Sequence, residues 1–325
     1  MKIAIYGYGN LGRGVDMAIH KADDIEAVGI FTRRCPKTVN TISGIPVYPA
    51  NEIDSFKDKA DVVIICGGSA TDLPLLTPML AEKFNVIDSF DTHAVAYEHY
   101  KKVDEAAKRG RHTALISCGW DPGMFSLSRL YSAAILPDGM DYTFWGMGVS
   151  QGHSDAVRRI KGVLDAKQYT VPIDGALESV KSGTCPHLSA TERHRRVCYV
   201  VAEKGADKIH IEKEIKNMPN YFYGYDTEVN FISEDEMRMN HSGMPHGGTV
   251  IRTGKTGLHN ENRHVIEYSL KLDSNPEFSA NILVAFARAV YKLSRRSSFG
   301  CKTVFDVAPA DLLPVSREEI IRKIL

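Results

Sequence analysis

Three glycines near the start, Gly7, Gly9 and Gly12 in "GYGNLGRG", have the spacing G-x-G-x-x-G directly after the apolar run "KIAIY". Glycines so placed permit a tight turn, close approach of a pyrophosphate and close packing of the following helix, whose first N–H groups point at the phosphates. Asn10 and Leu11 complete this turn. The next apolar run ends in "GIFTRR", so Thr32, Arg33 and Arg34 stand where an NAD-binding chain places an acid for the ribose hydroxyl. A guanidinium grips a 2′-phosphate with two parallel hydrogen bonds. These residues predict an NADP(H) site. "GGSATD" reads as a second glycine turn opening a helix, adding Gly68, Ser69, Ala70 and Thr71, with Ser69 or Thr71 as the expected cap.

Two acids follow predicted strands: Asp91 in "DSFDTH" and Asp121 in "GWDPGM". In an open α/β sheet the ligand crevice lies at that edge. A converging pair of carboxylates there could hold a substrate ammonium and manage its protons during hydride transfer. Each is also a good turn former, Asp121 before Pro122 especially. Farther along, Arg195 and Arg196 in "ERHRRVC", His246 in "MPHGG" and the polar stretch "SQGHS" from Ser150 to Ser154 offer guanidinium, imidazole, hydroxyl and backbone donors for carboxylates. Composition alone does not choose among them.

These side chains need a frame. The first third alternates short β-branched runs with amphipathic stretches, the pattern of βαβ units. Strands are predicted at Lys2 to Tyr6, Glu26 to Phe31, Val62 to Ile65, Asn85 to Asp88 and Thr113 to Ile116, with helices at Leu11 to Lys21, Asp72 to Phe84 and Ala94 to Arg109. The fold class is α/β, a Rossmann-type doubly wound parallel sheet, followed by a second, mixed α+β domain. That second domain starts where apolar runs shorten and turn residues cluster, and "RRVCYVVAE" and "TEVNFISE" predict strands within it. "SANILVAFARAVYKL" is helical in period, and "FDVAPADLL" leads back to the first domain. The expected organisation is a dinucleotide-binding domain over 1–118, a second region over 119–275 and a returning segment over 276–325.

Forty acids balance forty bases over 325 residues, so net charge favours neither nucleic acid nor a membrane surface as partner. The six cysteines are scattered without a C-x-x-C pair, so no metal site is predicted and a reducing, cytoplasmic setting is expected. The chain enters a strand at once, with no signal-like segment, and no apolar window reaches membrane-spanning length. A soluble, unprocessed protein is expected.

The motifs "GYGNLGRG", "GIFTRR", "GSATD", "DSFDTH", "GWDPGMFS", "FWGMG", "SQGHSDA", "MPHGG" and "LKLDSNP" together closely resemble the meso-diaminopimelate dehydrogenase family over nearly the whole chain. The resemblance implies NADP-dependent, reversible oxidative deamination of the D-centre of meso-2,6-diaminopimelate to L-2-amino-6-oxopimelate and ammonia. It implies a homodimer whose second region serves substrate binding and dimerisation. It places Asp91, Trp120 and Asp121 about the reacting centre, with Gly123, Met124 and the loop of Ser150, Gln151 and Gly152 close by. Thr170, Arg196, His246 and Asn275 fall at the distal L-centre. Gly67 takes the place of an expected bulkier residue, and Met147 that of a proline. Two other readings stand beside this one: an NADP-dependent D-amino acid dehydrogenase of broader range, which needs no distal clamp, and an NADPH sensor without turnover, which needs no paired acids.

Overall fold

The chain opens with β1 (Lys2–Tyr6), α1 (Asn10–His20), β2 (Glu26–Thr32), β3 (Val47–Pro49), β4 (Val62–Ile65), α2 (Leu73–Ala81), β5 (Val86–Asp88), α3 (Ala96–Gly110), β6 (Thr113–Leu115) and α4 (Met124–Ile135). There follow β7 (Gly139–Trp145), β8 (Gly148–Val149), α5 (Gln151–Arg158), β9 (Val163–Pro172), α6 (Asp174–Lys181), α7 (Ala190–Arg193), β10 (His194–Ala202), α8 (Lys208–Asn217), β11 (Thr227–Phe231), α9 (Glu234–Asn240), β12 (His246–Thr256) and β13 (Asn262–Leu272). The chain closes with α10 (Asn275–Arg295), β14 (Gly300–Lys302) and α11 (Arg317–Ile324). This computed structural model describes residues 1–325. Its contacts divide it into two units, Met1–Leu127 with Pro276–Leu325, and Ser128–Asn275.

The first unit is built on a seven-stranded sheet in the order β14-β6-β5-β4-β1-β2-β3, and every pairing in it is parallel. Strands buried on both faces read as unbroken apolar runs, and Val62 to Ile65 are all fully buried. Direction of winding reverses between β1 and β4, so the loops after these two strands flank the crevice. The five strands expected from sequence fall within one residue of their predicted ends. β3 was not foreseen: three half-buried residues at the sheet edge carry too little apolar signal. α2 is shorter than expected, and a 3-10 turn at His93–Val95 precedes α3.

The second unit holds a mixed four-stranded sheet, β11-β10-β9-β8, and an antiparallel three-stranded sheet, β13-β12-β7. The first sheet has its own core, in which Val157, Cys198, Val200, Ile215 and Phe222 are wholly buried. No helix of the chain is long and apolar enough to cross a membrane.

Candidate functional site

The glycine turn after β1 is shaped by close backbone approach. Gly7 adopts φ +98°, a conformation that side chains disfavour, and a Cβ on Gly12 would lie 2.2 Å from the Gly7 carbonyl oxygen. A Cβ on Gly9, the N-cap of α1, would meet nothing within 4 Å, and no side chain caps this helix. The turn therefore offers open N–H groups at a helix N-terminus, which fits a pyrophosphate. At the end of β2 the Thr32 hydroxyl accepts from the Arg34 N–H at 3.2 Å, and the Arg34 guanidinium donates to the Tyr8 carbonyl of the glycine turn. The Arg33 guanidinium is 70% exposed and pairs with Asp72 at 2.9 Å. Both arginines thus border the glycine turns, and the exposed faces of their guanidinium groups suit a phosphate.

The second turn differs from expectation in one respect. Neither Ser69 nor Thr71 caps α2, whose N-cap is Asp72. Asp72 instead turns back to accept the Gly68 N–H at 2.9 Å. The Ser69 hydroxyl is drawn away to the loop after β5, where it accepts the Asp91 N–H at 2.8 Å and meets the Thr92 hydroxyl at 3.1 Å. Gly67 has a local reason: a Cβ there would lie 2.8 Å from that of Asp72. Ala70 and Thr71 are exposed at the tip of the turn.

Trp120 and Asp121 lie in a hairpin that a single glycine makes possible. Gly123 has φ +129°, and a Cβ on it would strike the Gly119 carbonyl oxygen at 1.9 Å. The Trp120 carbonyl accepts from Phe125 N–H at 2.8 Å and the Gly119 carbonyl from Met124 N–H at 3.0 Å, so the hairpin runs straight into α4. The Trp120 indole is buried edge-on to Phe125 with 5.5 Å between centroids, while Asp121 is partly exposed and Met124 exposed. Asp91, Phe90 and Ser117 line one cavity of about 480 Å³ together with Pro122 and Ser126. The structure so brings the two acid-bearing loops to one side of the first unit. Two larger cavities contain none of the expected site residues.

Within the second unit the distal candidates converge. Arg196 on β10 faces Thr170 on β9 in register, and its guanidinium donates to the Thr170 hydroxyl. The same guanidinium lies 4.2 Å from the Tyr225 ring centroid. Its Nε is buried with no partner, and burial lowers the pKa of the group. Gly148 on β8 pairs with Thr170, and a Cβ on Gly148 would lie 2.5 Å from the His246 ring, so the imidazole rests on this glycine. Ser150 caps α5 and meets His153 Nδ1 at 2.7 Å. Gln151 reaches Met244 Sδ at 3.5 Å, and Asn275 N–H donates to the Met244 carbonyl at 3.0 Å. Gly152 has open space at its α-carbon. Arg195 points the other way, exposed and 3.4 Å from Glu228. Alternation along the strand separates the two arginines.

Sequence reasoning missed Tyr225 and Asp16, and took His153 only as part of the polar stretch Ser150 to Ser154. His153 is held neutral, its pKa pushed down to about 4 by burial and by the nearby Arg196 charge. Tyr225 carried no pattern at all. Asp16 is wholly buried in α1 and accepts from the Tyr8 hydroxyl at 2.6 Å, the Ile42 N–H at 3.0 Å and the Ser43 hydroxyl, fastening the loop beyond β2 to the glycine turn. Burial and the Asp16 hydrogen bond raise Tyr8 to about 12. Met147, at the cis Gly146–Met147 bond, is exposed.

Comparison with known proteins places the chain in a family. Residues 119–274 match the family model described as diaminopimelic acid dehydrogenase C-terminal domain. The chain is 55% identical to the meso-diaminopimelate D-dehydrogenase of Acetivibrio thermocellus, over 100% of this chain and 98% of that one. It is similar to the solved structure of the C. glutamicum DAP dehydrogenase in complex with DAP (TM-score 0.93, 45% identity, 100% and 99% of the two chains). An engineered D-amino acid dehydrogenase bound to NADP+ is also similar (TM-score 0.89, 43% identity, 100% and 99% of the two chains). Identity at this level over the full length leaves one conclusion: the chain belongs to the meso-diaminopimelate D-dehydrogenase family.

Proposed function

We propose that this protein is an NADP-dependent oxidoreductase that deaminates the D-centre of meso-2,6-diaminopimelate reversibly, giving L-2-amino-6-oxopimelate and ammonia. The observation that carries the reading is Arg196: a guanidinium with its Nε buried and unpartnered, flanked by Thr170 and Tyr225, suits a substrate carboxylate far better than solvent. A simple D-amino acid would have no use for it. Diaminopimelate carries two ammonium and two carboxylate groups, so its site needs acids and bases both. Asp91 and Asp121 supply the one, and Arg196, Thr170, His246 and Asn275 the other.

Bound NADP+ supplies the hydride acceptor. The glycine turn Gly7–Gly12, Gly68 to Thr71, Thr32, Arg33 and Arg34 would hold it. Asp91 and Asp121 hold the ammonium of the reacting carbon and take up protons as water adds to the imine. The buried Trp120 limits water at that carbon. The distal residues clamp the far end, so that only one hydrogen at the reacting carbon is presented. We further propose a homodimer formed by the second region: Leu130, Tyr131 and Ile135 leave an apolar stripe exposed on α4, and β13 is an edge strand exposed along nearly its whole length. The free cysteines suit a reducing cytoplasm.

The test is absorbance at 340 nm with NADP+ and the separate stereoisomers of diaminopimelate, beside simple D-amino acids. Turnover of the meso isomer and silence with the L,L isomer supports the proposal. Preference for simple D-amino acids would replace it with the broader activity.

A further inference from the structure

A third acid touches both of the loops that carry Asp91 and Asp121. Asp88, the last residue of β5, is wholly buried. One carboxylate oxygen, Oδ1, accepts the Phe90 N–H at 3.0 Å and the Ser117 N–H at 3.0 Å. The other, Oδ2, accepts the Thr77 hydroxyl of α2 at 2.7 Å and lies 2.9 Å from His99 Nε2 of α3. His99 is buried, stacks on Phe90 with 4.1 Å between centroids, and has no partner on Nδ1. The Asp88 carbonyl accepts the Cys118 N–H at 3.0 Å. A single residue therefore binds the chain immediately before Asp91 and the chain immediately before Trp120 and Asp121.

Burying a carboxylate is costly unless it is fully hydrogen-bonded. The two preceding strand residues, Val86 and Ile87, show that an apolar side chain is what this layer otherwise takes. Nor is the Ser117 end relaxed: this non-glycine residue sits at φ +55°, in the left-handed region, and its N–H is one of the two that Oδ1 accepts. Packing alone explains neither feature. Both follow if the carboxylate sets the spacing of two loops, with Thr77 and His99 preventing its rotation.

We propose that Asp88 is a positioning residue of the reaction, its Oδ1 tying the Asp91 loop to the Trp120–Asp121 loop so that the two acids meet the substrate ammonium together. The proposal rests on the reading above, that these loops serve the reacting centre. Wholly buried, Asp88 is placed to act through the two loops and not on the substrate itself. Removing it separates the acids without altering them, and a displacement of the order of 1 Å at a reacting centre costs roughly a hundredfold in rate.

The experiment compares Asp88→Ala, Asp88→Ser and Asp88→Asn, each normalised to sites titrated with NADPH so that misfolded protein is not counted. Asp91→Asn and Asp121→Asn run alongside. Readouts are kcat, the KM for meso-diaminopimelate, the NADPH Kd and amide hydrogen exchange. Expected for Ala and Ser is a fall in kcat of roughly 10- to 100-fold, an unchanged NADPH Kd, and faster exchange confined to residues 89–92 and 116–121. Asn keeps an acceptor at Oδ1 and should restore most of kcat, a rescue that a purely structural role for the buried charge does not predict. Normal kcat and KM per NADPH site in Ala or Ser overturns the proposal, as does an Asn variant no better than Ala. If Asp91→Asn and Asp121→Asn both keep full activity, the reading of the reacting centre is what fails, while faster exchange of both loops still reports the tether.

Discussion

The backbone N–H of Asp91 donates to the Ser69 hydroxyl at 2.8 Å, so the loop of the first acid is anchored to the second glycine turn. Ser69→Ala removes that acceptor and the contact with Thr92. The loss is about 0.5 to 1.5 kcal/mol for a hydrogen bond of this kind. We expect it as a fall in kcat/KM for meso-diaminopimelate of several-fold, measured by steady-state kinetics, with folding intact by circular dichroism. No change would mean that the loop is held without the hydroxyl.

Arg33→Ala with Arg34→Ala should weaken NADP+ while leaving NAD+ nearly unaffected. A charged hydrogen bond contributes about 1.5 to 3 kcal/mol, so the KM for NADP+ should rise by at least tenfold. Arg34 also braces the Tyr8 carbonyl. Its single variant should therefore cost more than that of Arg33, whose guanidinium already shares a partly exposed pair with Asp72. Equal use of NAD+ and NADP+ by the unmodified enzyme would refute the assignment.

Tyr8→Phe deletes the hydroxyl that bonds buried Asp16 at 2.6 Å. The carboxylate keeps its bonds to Ile42 and Ser43 but loses one donor, a destabilisation of about 1 to 3 kcal/mol. Thermal melting should detect it, and NADPH should offset part of the loss by binding the folded state. An unshifted melting temperature would show that the Asp16 network tolerates the gap.

Replacing Arg196 with Met keeps apolar bulk beside Tyr225 and removes the charge. A truncated partner of a buried charge pair costs about 2 to 5 kcal/mol, so the KM for meso-diaminopimelate should rise steeply at unchanged NADPH affinity. An unaltered KM would move the clamp away from β10.

His153 and His194 predict how stability follows pH. Burial, with Arg196 nearby, pushes each down to about 4. The unfolded chain binds protons near pH 6.5 while the folded chain does not, so their contribution is complete above pH 6.5 and is lost as pH falls toward 4. The slope is at most about 1.4 kcal/mol per pH unit for each histidine. The melting temperature should drop between pH 7 and pH 4.5, and less so in His153→Asn. A flat profile would mean that neither ring is neutral by burial.

The parallel sheet was legible because buried strands such as Val62–Ile65 are continuous β-branched runs, and the glycine turn because only glycine fits it. The pairing of Thr170 with Arg196 was not, since it depends on β9 and β10 meeting in a register that no local pattern encodes. Asp88 illustrates the same limit. Its place at the end of a predicted strand carries no sign of a role, and its bond to the Ser117 N–H spans 29 positions of sequence. Arg195 and Arg196 are alike in composition and differ only in the side of β10 they occupy.

β14, which borders β6 in the first unit, reaches it from far along the chain: the Thr113 hydroxyl bonds the Ser298 carbonyl across 185 positions. During synthesis β6 therefore emerges with an open edge, and it stays open while the whole second unit is made. An exposed parallel edge is a template for pairing with other chains. Folding order thus departs from sequence order: the second unit, one unbroken segment from Ser128 to Asn275, can close first, and the nucleotide-binding sheet is sealed only when the returning segment arrives.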